Sequence, residues 1–180
     1  MDEELALVTD WLVCASSQVA SEYMQLPVAG NEDPEYRERV YCYELYHRWR
    51  LHWPDRFAFS LCGEVDKAGH PLIRENTKPD FLVHVPGCMK NMLVVEVKPK
   101  NADVARMAAD LAKLTRFCRE PANYHAAYFW LYGLSADDWP RLNDKIAAIG
   151  HANEVDHSLI KFFVHERAGA MAIPVNWQLR

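Results

Sequence analysis

Two short apolar segments on either side of a turn constrain the fold of this chain more than any other feature. Phe81–Val85 and residues 92–97 contain no glycine or proline and consist mostly of valine, leucine and other large apolar residues, which is typical of β-strands. Between them, residues 86–91 contain a Pro-Gly pair and a Lys-Asn pair, which favour a turn. The sequence therefore predicts a β-hairpin.

Charged residues stand at the ends of both predicted strands. Asp80 opens the first strand, and Glu96 and Lys98 close the second. Because side chains alternate along a strand, Glu96 and Lys98 share one face and Val97 points to the other. If the hairpin turns near residues 88–89, Asp80 lies opposite or diagonal to the Glu96 and Lys98 pair. Two carboxylates and an amine would then converge within reach of one divalent cation.

The pattern Pro79-Asp80 followed by Glu96-Val97-Lys98 resembles the active site of the PD-(D/E)xK nuclease superfamily. The resemblance implies that Asp80 and Glu96, with the main-chain carbonyl of Val97, hold Mg²⁺, for which Mn²⁺ can substitute. It also implies that Lys98 positions a water or counters the charge of the phosphate. A second interpretation is an edge strand whose Glu96 and Lys98 point outward as an ion pair. An acidic residue inside an apolar run is costly to bury without a partner or a metal, which favours a functional site.

The order of the predicted elements is a second support for the resemblance. From residue 35 to 132 the order is α-β-β-β-α-β, the core of the restriction-endonuclease-like fold, an α/β architecture with a mixed sheet flanked by helices. The whole chain, 1–180, is expected to form one domain around this core. The predicted helices cover 3–24, 35–52, 101–118 and 138–149, and the predicted strands cover 57–65, 81–85, 92–97, 124–132, 160–165 and 170–175.

Glu44 is a third carboxylate that the resemblance implies. It lies in the middle of the second predicted helix, and nucleases of this fold often carry a glutamate there that is aimed at the metals. The segment 41–47 is also similar to a helix of small bacterial nucleases linked to phage defence or restriction. Alternatively, Glu44 pairs with Arg48, four residues further along the helix. Glu64, at the end of the first predicted strand, could take its place or support it.

Basic residues gather in the segment that follows the motif. From Lys98 to Arg119 there are six basic residues against two aspartates, although the chain as a whole has a net charge of −5. Lys100, Arg106 and Lys113 are the candidate contacts to nucleic-acid phosphates. Arg106 and Lys113 share a flank of the predicted helix with Asp110, where this fold often places residues that steady the site. The alternative is an ordinary solvated helix flank.

Composition limits the classes of protein to which the chain can belong. Its 180 residues are 50% hydrophobic, which fits one domain with a substantial core. No apolar run reaches membrane-spanning length, and the acidic N-terminal stretch is unlike a secretory signal. Five widely spaced cysteines with no CxxC pair favour reduced thiols, so a cytoplasmic location is expected.

These patterns favour a metal-dependent nuclease, expected to be a DNA endonuclease of a defence or restriction-type system. The alternative is a catalytically silent fold of the same type that binds nucleic acid or serves in assembly. A small-molecule enzyme is a third reading, but the chain has no Walker A, GxGxxG, GxSxG or HExxH motif. No separate reader domain is evident, so a homodimer or a partner protein is expected to supply specificity.

Overall fold

The computed structural model of the chain describes residues 1–63, 78–149 and 154–177. Its helices are α1 (Asp2–Ser16), α2 (Ser21–Met24), α3 (Glu38–Leu51), α4 (Val104–Phe117) and α5 (Trp139–Ala147). Its strands are β1 (Ser60–Gly63), β2 (Phe81–Val85), β3 (Lys90–Pro99), β4 (Ala126–Tyr132), β5 (Ile160–His165) and β6 (Ile173–Val175). Within these ranges, no helix combines the length and the hydropathy needed to cross a bilayer.

The described strands form one mixed sheet of six strands in the order β1-β2-β3-β4-β5-β6. Neighbours β1, β2 and β3 are antiparallel, β4 and β5 continue parallel to β3, and β6 returns antiparallel to β5. The predicted α/β class with a mixed, helix-flanked sheet is therefore confirmed. From α3 to β4 the elements follow the predicted order α-β-β-β-α-β, and the predicted terminal hairpin is present as β5 and β6.

Helices cover both faces of the sheet, and each face has its own apolar core. Helices α1 and α3 pack on the face that carries Val95 of β3. Helices α4 and α5 pack on the face that carries Val94. Nine of the ten residues of β3 and all seven of β4 are buried, as is typical of strands covered on both faces. Because alternate side chains share a face, Glu96 and Lys98 lie on the side of α4.

The hairpin of β2 and β3 has the register that the sequence predicts. Phe81 pairs with Val95, so the preceding residue, Asp80, stands opposite Glu96. Gly87 in the turn has a φ of 75°, which a residue without a side chain adopts at little cost. The pairing shifts by one residue between Val83 and His84, and the two carboxylates of the motif are placed together by strand pairing that includes this irregularity.

The N-terminal helix predicted over 3–24 is interrupted. Helix α1 ends at Ser16, where the hydroxyls of Ser16 and Ser17 donate to carbonyls three residues earlier, at 2.6 and 2.7 Å. Such side-chain bonds compete with the helical pattern and favour its end. Val19 is still buried beyond the break, which explains why the apolar pattern continues past the end of the helix.

Other boundaries differ from the prediction by a few residues. Helix α3 begins at Glu38 and not at residue 35. Helix α4 begins at Val104 and not at residue 101, because Asp103 caps it: its carboxylate accepts from the N–H of Arg106 at 2.9 Å. The predicted strand over 57–65 is described only as far as residue 63, and Glu64 lies outside the described residues.

Candidate functional site

The start of β2 and the end of β3 bring Asp80, Glu96 and Lys98 together. Oδ2 of Asp80 accepts a hydrogen bond from the backbone N–H of Val97 at 2.7 Å. Nζ of Lys98 donates to Oε1 of Glu96 at 3.2 Å. The three motif side chains therefore converge at one end of the sheet, on the side that faces α4.

The motif residues lie in the interior of the protein. Glu96 is 4% exposed and Lys98 is 8% exposed. Strand β3 lies between β2 and β4, so the interpretation of an outward ion pair on an edge strand is wrong. Charges buried this deeply are costly unless other charges or hydrogen bonds compensate them. The surrounding helices supply that compensation.

Helix α4 contributes a third acid and a second amine. Nζ of Lys98 lies 3.4 Å from Oδ2 of Asp110, and Nζ of Lys113 lies 2.9 Å from Oδ1 of the same residue. Nζ of Lys113 also lies 2.7 Å from Oε2 of Glu96. Glu96, Lys98, Asp110 and Lys113 thus form a closed ring of alternating charges, which we call the ion-pair ring. The flank of α4 that carries Asp110 and Lys113 faces the motif, in contrast to the alternative of a solvated flank.

Glu38, in the first turn of α3, is a member of the site that sequence reasoning missed. Both of its carboxylate oxygens accept from Nζ of Lys98 at 3.1 Å. The signal in the sequence is a helical spacing: Glu38 precedes the buried Tyr41 and Cys42 by three and four residues, which puts it on the inner face of α3. Lys98 is therefore held by carboxylates from β3, α3 and α4.

The structure does not bring Glu44 to this cluster. Its Oε1 accepts from Nε of Arg48 at 2.6 Å, the in-helix pair considered as the alternative, but Glu44 is buried and does not lie on the surface. At 3.6 residues per turn, Glu44 lies about 120° around the helix axis from Glu38. Within the described ranges, no hydrogen bond or ion pair joins Glu44 to Asp80 or Lys98. The glutamate of α3 that contacts Lys98 is therefore Glu38, whereas the sequence analysis expected Glu44.

A cavity of about 380 Å³ opens next to Lys98 and Glu38. Arg106 lines it, together with Pro99, Ala102, Asp103 and Asp110. Lys100 follows at the end of β3, where its exposed side chain places Nζ 5.4 Å from the centre of the Tyr36 ring. Of the three basic residues predicted to contact nucleic acid, Lys100 and Arg106 are exposed, whereas Lys113 is turned inward to Glu96.

Burial and repulsion raise the pKa values of the buried carboxyl groups. Burial raises the pKa of Asp80 to about 6, against the opposing effects of Lys98 and the Val97 N–H. Burial, followed by the charges of Asp80 and Asp110, raises the pKa of Glu96 to about 8. Burial lowers the pKa of Lys98, but the charge of Glu96 and then that of Asp110 outweigh it, so the net change is upward. Lys98 therefore stays protonated, and with this pKa Glu96 keeps its proton most of the time at neutral pH.

Acids outnumber bases at the site. When all are ionised, four carboxylates face two ammonium groups, an excess of two negative charges that equals the charge of one divalent cation. The carboxylates are those of Glu38, Asp80, Glu96 and Asp110, and the amines are those of Lys98 and Lys113.

The oxygens of Asp80 and Glu96 fit a hard divalent cation. Mg²⁺ in proteins binds through one or two carboxylates and keeps several waters. Oε2 of Glu96 is buried and has no aligned hydrogen bond with any described residue, although the amine of Lys113 is close to it. In the described ranges, no three side chains from His, Cys, Asp or Glu are grouped to hold a metal ion. The protein would therefore supply a pair of carboxylates and a backbone oxygen, and water would complete the shell.

Comparison with known proteins does not place the chain in a family. No family model, no curated protein and no solved structure matches it.

Proposed function

We propose that this protein is a metal-dependent phosphodiesterase of the PD-(D/E)xK type, a DNA endonuclease of a defence or restriction-type system. The observation that supports this most directly is the register of the hairpin, which sets Asp80 opposite Glu96 with Lys98 on the same face. A sheet interior has no structural need for two facing carboxylates. Their burial in a site with an excess of negative charge is what a divalent cation would offset.

Asp80 and Glu96, with the main-chain carbonyl of Val97, would hold Mg²⁺ or Mn²⁺. When bound, such an ion supplies charge stabilisation for the phosphate and lowers the pKa of a coordinated water. The hydrogen bond from the Val97 N–H fixes Oδ2 of Asp80, so this carboxylate needs little reorganisation to act as a ligand.

Lys98 acts in this proposal as a cation and not as a base. The neighbouring carboxylates raise its pKa above the ordinary value even though burial opposes them, so the amine keeps its proton at neutral pH. A fixed ammonium group next to the carboxylate pair can position the attacking water and counter charge on the phosphate. Glu38 accepts from Lys98 and orients it, which gives the α3 carboxylate a positioning role.

Lys100 and Arg106 would bind the DNA backbone. Both side chains are exposed. Arg106 lines the cavity next to Lys98 and Glu38, and Lys100 directly follows Pro99, another residue of its lining. Basic side chains at such positions bind phosphates without reading the base sequence. One site per chain cuts one strand, so cleavage of both strands would need a homodimer or a partner protein.

A catalytically silent fold that binds nucleic acid is the second candidate. The ion-pair ring favours it, because Lys98 and Lys113 already neutralise Glu96 without any metal. The two functions differ in turnover, since a silent protein would bind DNA and leave it intact.

Nicking of supercoiled plasmid in Mg²⁺, Mn²⁺ or EDTA tests the proposal. We expect cleavage by the wild-type chain only with a divalent cation, and a loss of at least about a hundredfold in Asp80→Asn and Glu96→Gln. Asp10→Asn is the matched control, because Asp10 is an exposed carboxylate on α1, which covers the opposite face of the sheet. Cleavage that survives in both site variants would overturn the assignment, and binding without cleavage would select the silent fold.

A further inference from the structure

The amine of Lys113 is placed as a cation between two carboxylates. It lies 2.7 Å from Oε2 of Glu96 and 2.9 Å from Oδ1 of Asp110, and the side chain is 14% exposed. Burial lowers the pKa of Lys113, but the charges of Glu96 and Asp110 outweigh this and keep the amine protonated. The ammonium group of Lys113 thus contacts one oxygen of Glu96, the carboxylate that we assign as a metal ligand.

The two lysines that contact Glu96 differ in the other carboxylates they would still contact if a metal ion took their place at Glu96. Lys98 would keep both oxygens of Glu38 at 3.1 Å and Asp110 at 3.4 Å. Among the described residues, Lys113 would keep Asp110 alone. Lys113 is therefore the lysine that can be displaced from Glu96 with the smaller loss of partners.

We propose that Lys113 is an internal substitute for the divalent cation: its amine occupies Oε2 of Glu96 in the metal-free protein and leaves it when the cation binds. This inference rests on the proposed function, because it requires the metal to bind Glu96. Two cations on one carboxylate oxygen repel each other, so Lys113 and the metal compete for this atom. The substitute explains how the protein keeps a buried carboxylate compensated before the metal arrives.

The exchange also gives Lys113 a second use. An amine released from Glu96 carries its charge next to the metal site and becomes available to a phosphate oxygen of the substrate. Metal binding would thereby create a phosphate contact that the metal-free protein lacks. Lys113 is in this view a positioning and binding residue whose availability depends on the metal.

Amine labelling tests the exchange without reference to activity. The full-length chain is treated briefly with an acylating reagent in EDTA or in saturating CaCl₂, and the modification of each lysine is measured by mass spectrometry. We expect Ca²⁺ to raise the labelling of Lys113 several-fold, while Lys98 stays protected. The exposed Lys161 on β5 serves as the internal reference.

Calorimetric titration with CaCl₂ supplies the second measurement. In alkaline buffer, where protons compete little for Glu96, Lys113→Met should bind Ca²⁺ about tenfold more tightly than the wild type because a competing charge is gone. Lys161→Met, with the same loss of charge at a distant site, should leave the affinity unchanged.

The outcomes separate the two proposals. If the wild type binds Ca²⁺ but Lys113 remains protected and Lys113→Met gains no affinity, the exchange is wrong and the metal site stands. If the wild type binds neither Ca²⁺ nor Mg²⁺, the metal-dependent function fails, and the exchange fails with it.

Discussion

The carboxylate of Asp80 accepts a hydrogen bond from the backbone N–H of Val97 at 2.7 Å. This bond links the residue before β2 to the residue of β3 that separates Glu96 from Lys98. It uses Oδ2 alone, which leaves Oδ1 for a cation or a water. The hydrogen bond that Asp80 accepts and its negative charge can therefore be removed separately, by different substitutions.

Asp80→Asn keeps an oxygen that can accept from Val97 and removes the negative charge. We expect it to abolish Mg²⁺ binding with little change in melting temperature, because it also removes a costly buried charge. Asp80→Ala removes the acceptor as well and should lower the free energy of unfolding by about 1–3 kcal/mol, because the N–H loses its partner. Calorimetry and thermal denaturation provide the two measurements. Unchanged Mg²⁺ affinity in both variants would show that Asp80 is structural.

Lys98→Met tests the buried ammonium group. The variant keeps the length of the side chain but leaves Glu38, Glu96 and Asp110 without their shared counter-charge. We expect a loss of about 3 kcal/mol in the free energy of unfolding, as for other broken buried ion pairs, and a fall in cleavage by orders of magnitude. Lys100→Met, on the same strand end but exposed, should change stability by less than about 0.5 kcal/mol. Equal stability of the two variants would contradict the burial of Lys98 in an ion-pair network.

Glu38→Gln and Glu44→Gln form a matched pair on one helix. Glu38 contacts Lys98, whereas Glu44 contacts Arg48. We therefore expect Glu38→Gln to reduce plasmid cleavage at least about tenfold, since the orientation of Lys98 is lost. Glu44→Gln should retain most of the activity. The reverse ranking would restore Glu44 as the third carboxylate and exclude Glu38.

The sequence predicted best those features that depend on local periodicity. Alternation along β3 put Glu96 and Lys98 on one face. The turn alone does not set Asp80 opposite Glu96, because the pairing shifts by one residue between Val83 and His84, and this irregularity moves the partner of Asp80 from Val95 to Glu96. The order of elements from 35 to 132 followed from the same patterns. These features required no knowledge of how distant elements pack.

The helix residues of the site could not be predicted equally well. Helix α3 is rich in aromatic residues on several sides, so its sequence does not show which face meets the sheet. Sequence reasoning therefore chose Glu44 and missed Glu38, because only the tertiary packing distinguishes the two positions. The inward turn of Lys113 is likewise a tertiary effect, because a basic residue beside an apolar stripe is as compatible with solvent as with a buried acid.

The final prediction concerns the pH dependence of stability in the absence of divalent cations. The pKa of Glu96 is raised from 4.5 to about 8, so the folded protein binds a proton that the unfolded chain has released. The contribution of Glu96 to the free energy of unfolding is greatest below about pH 4.5 and is lost as the pH rises toward 8. His165 acts in the opposite direction: burial lowers its pKa from 6.5 to about 4, so its contribution is lost as the pH falls below 6.5.

Between pH 6.5 and 8 the contribution of His165 is small, because its side chain is neutral in both states through most of that window. The difference between the wild type and Glu96→Gln isolates Glu96 from the N-terminal amine, whose raised pKa acts in the same direction. We expect the melting temperature of the wild type in EDTA to fall across this range. Glu96→Gln should remove most of the slope, because a neutral amide has no proton to lose. Mg²⁺ should also flatten it in the wild type, since the cation replaces the proton as the partner of the carboxylate. A wild-type slope that matches that of Glu96→Gln would mean that Glu96 is fully ionised near neutral pH, held by Lys98 and Lys113 without need of a further cation.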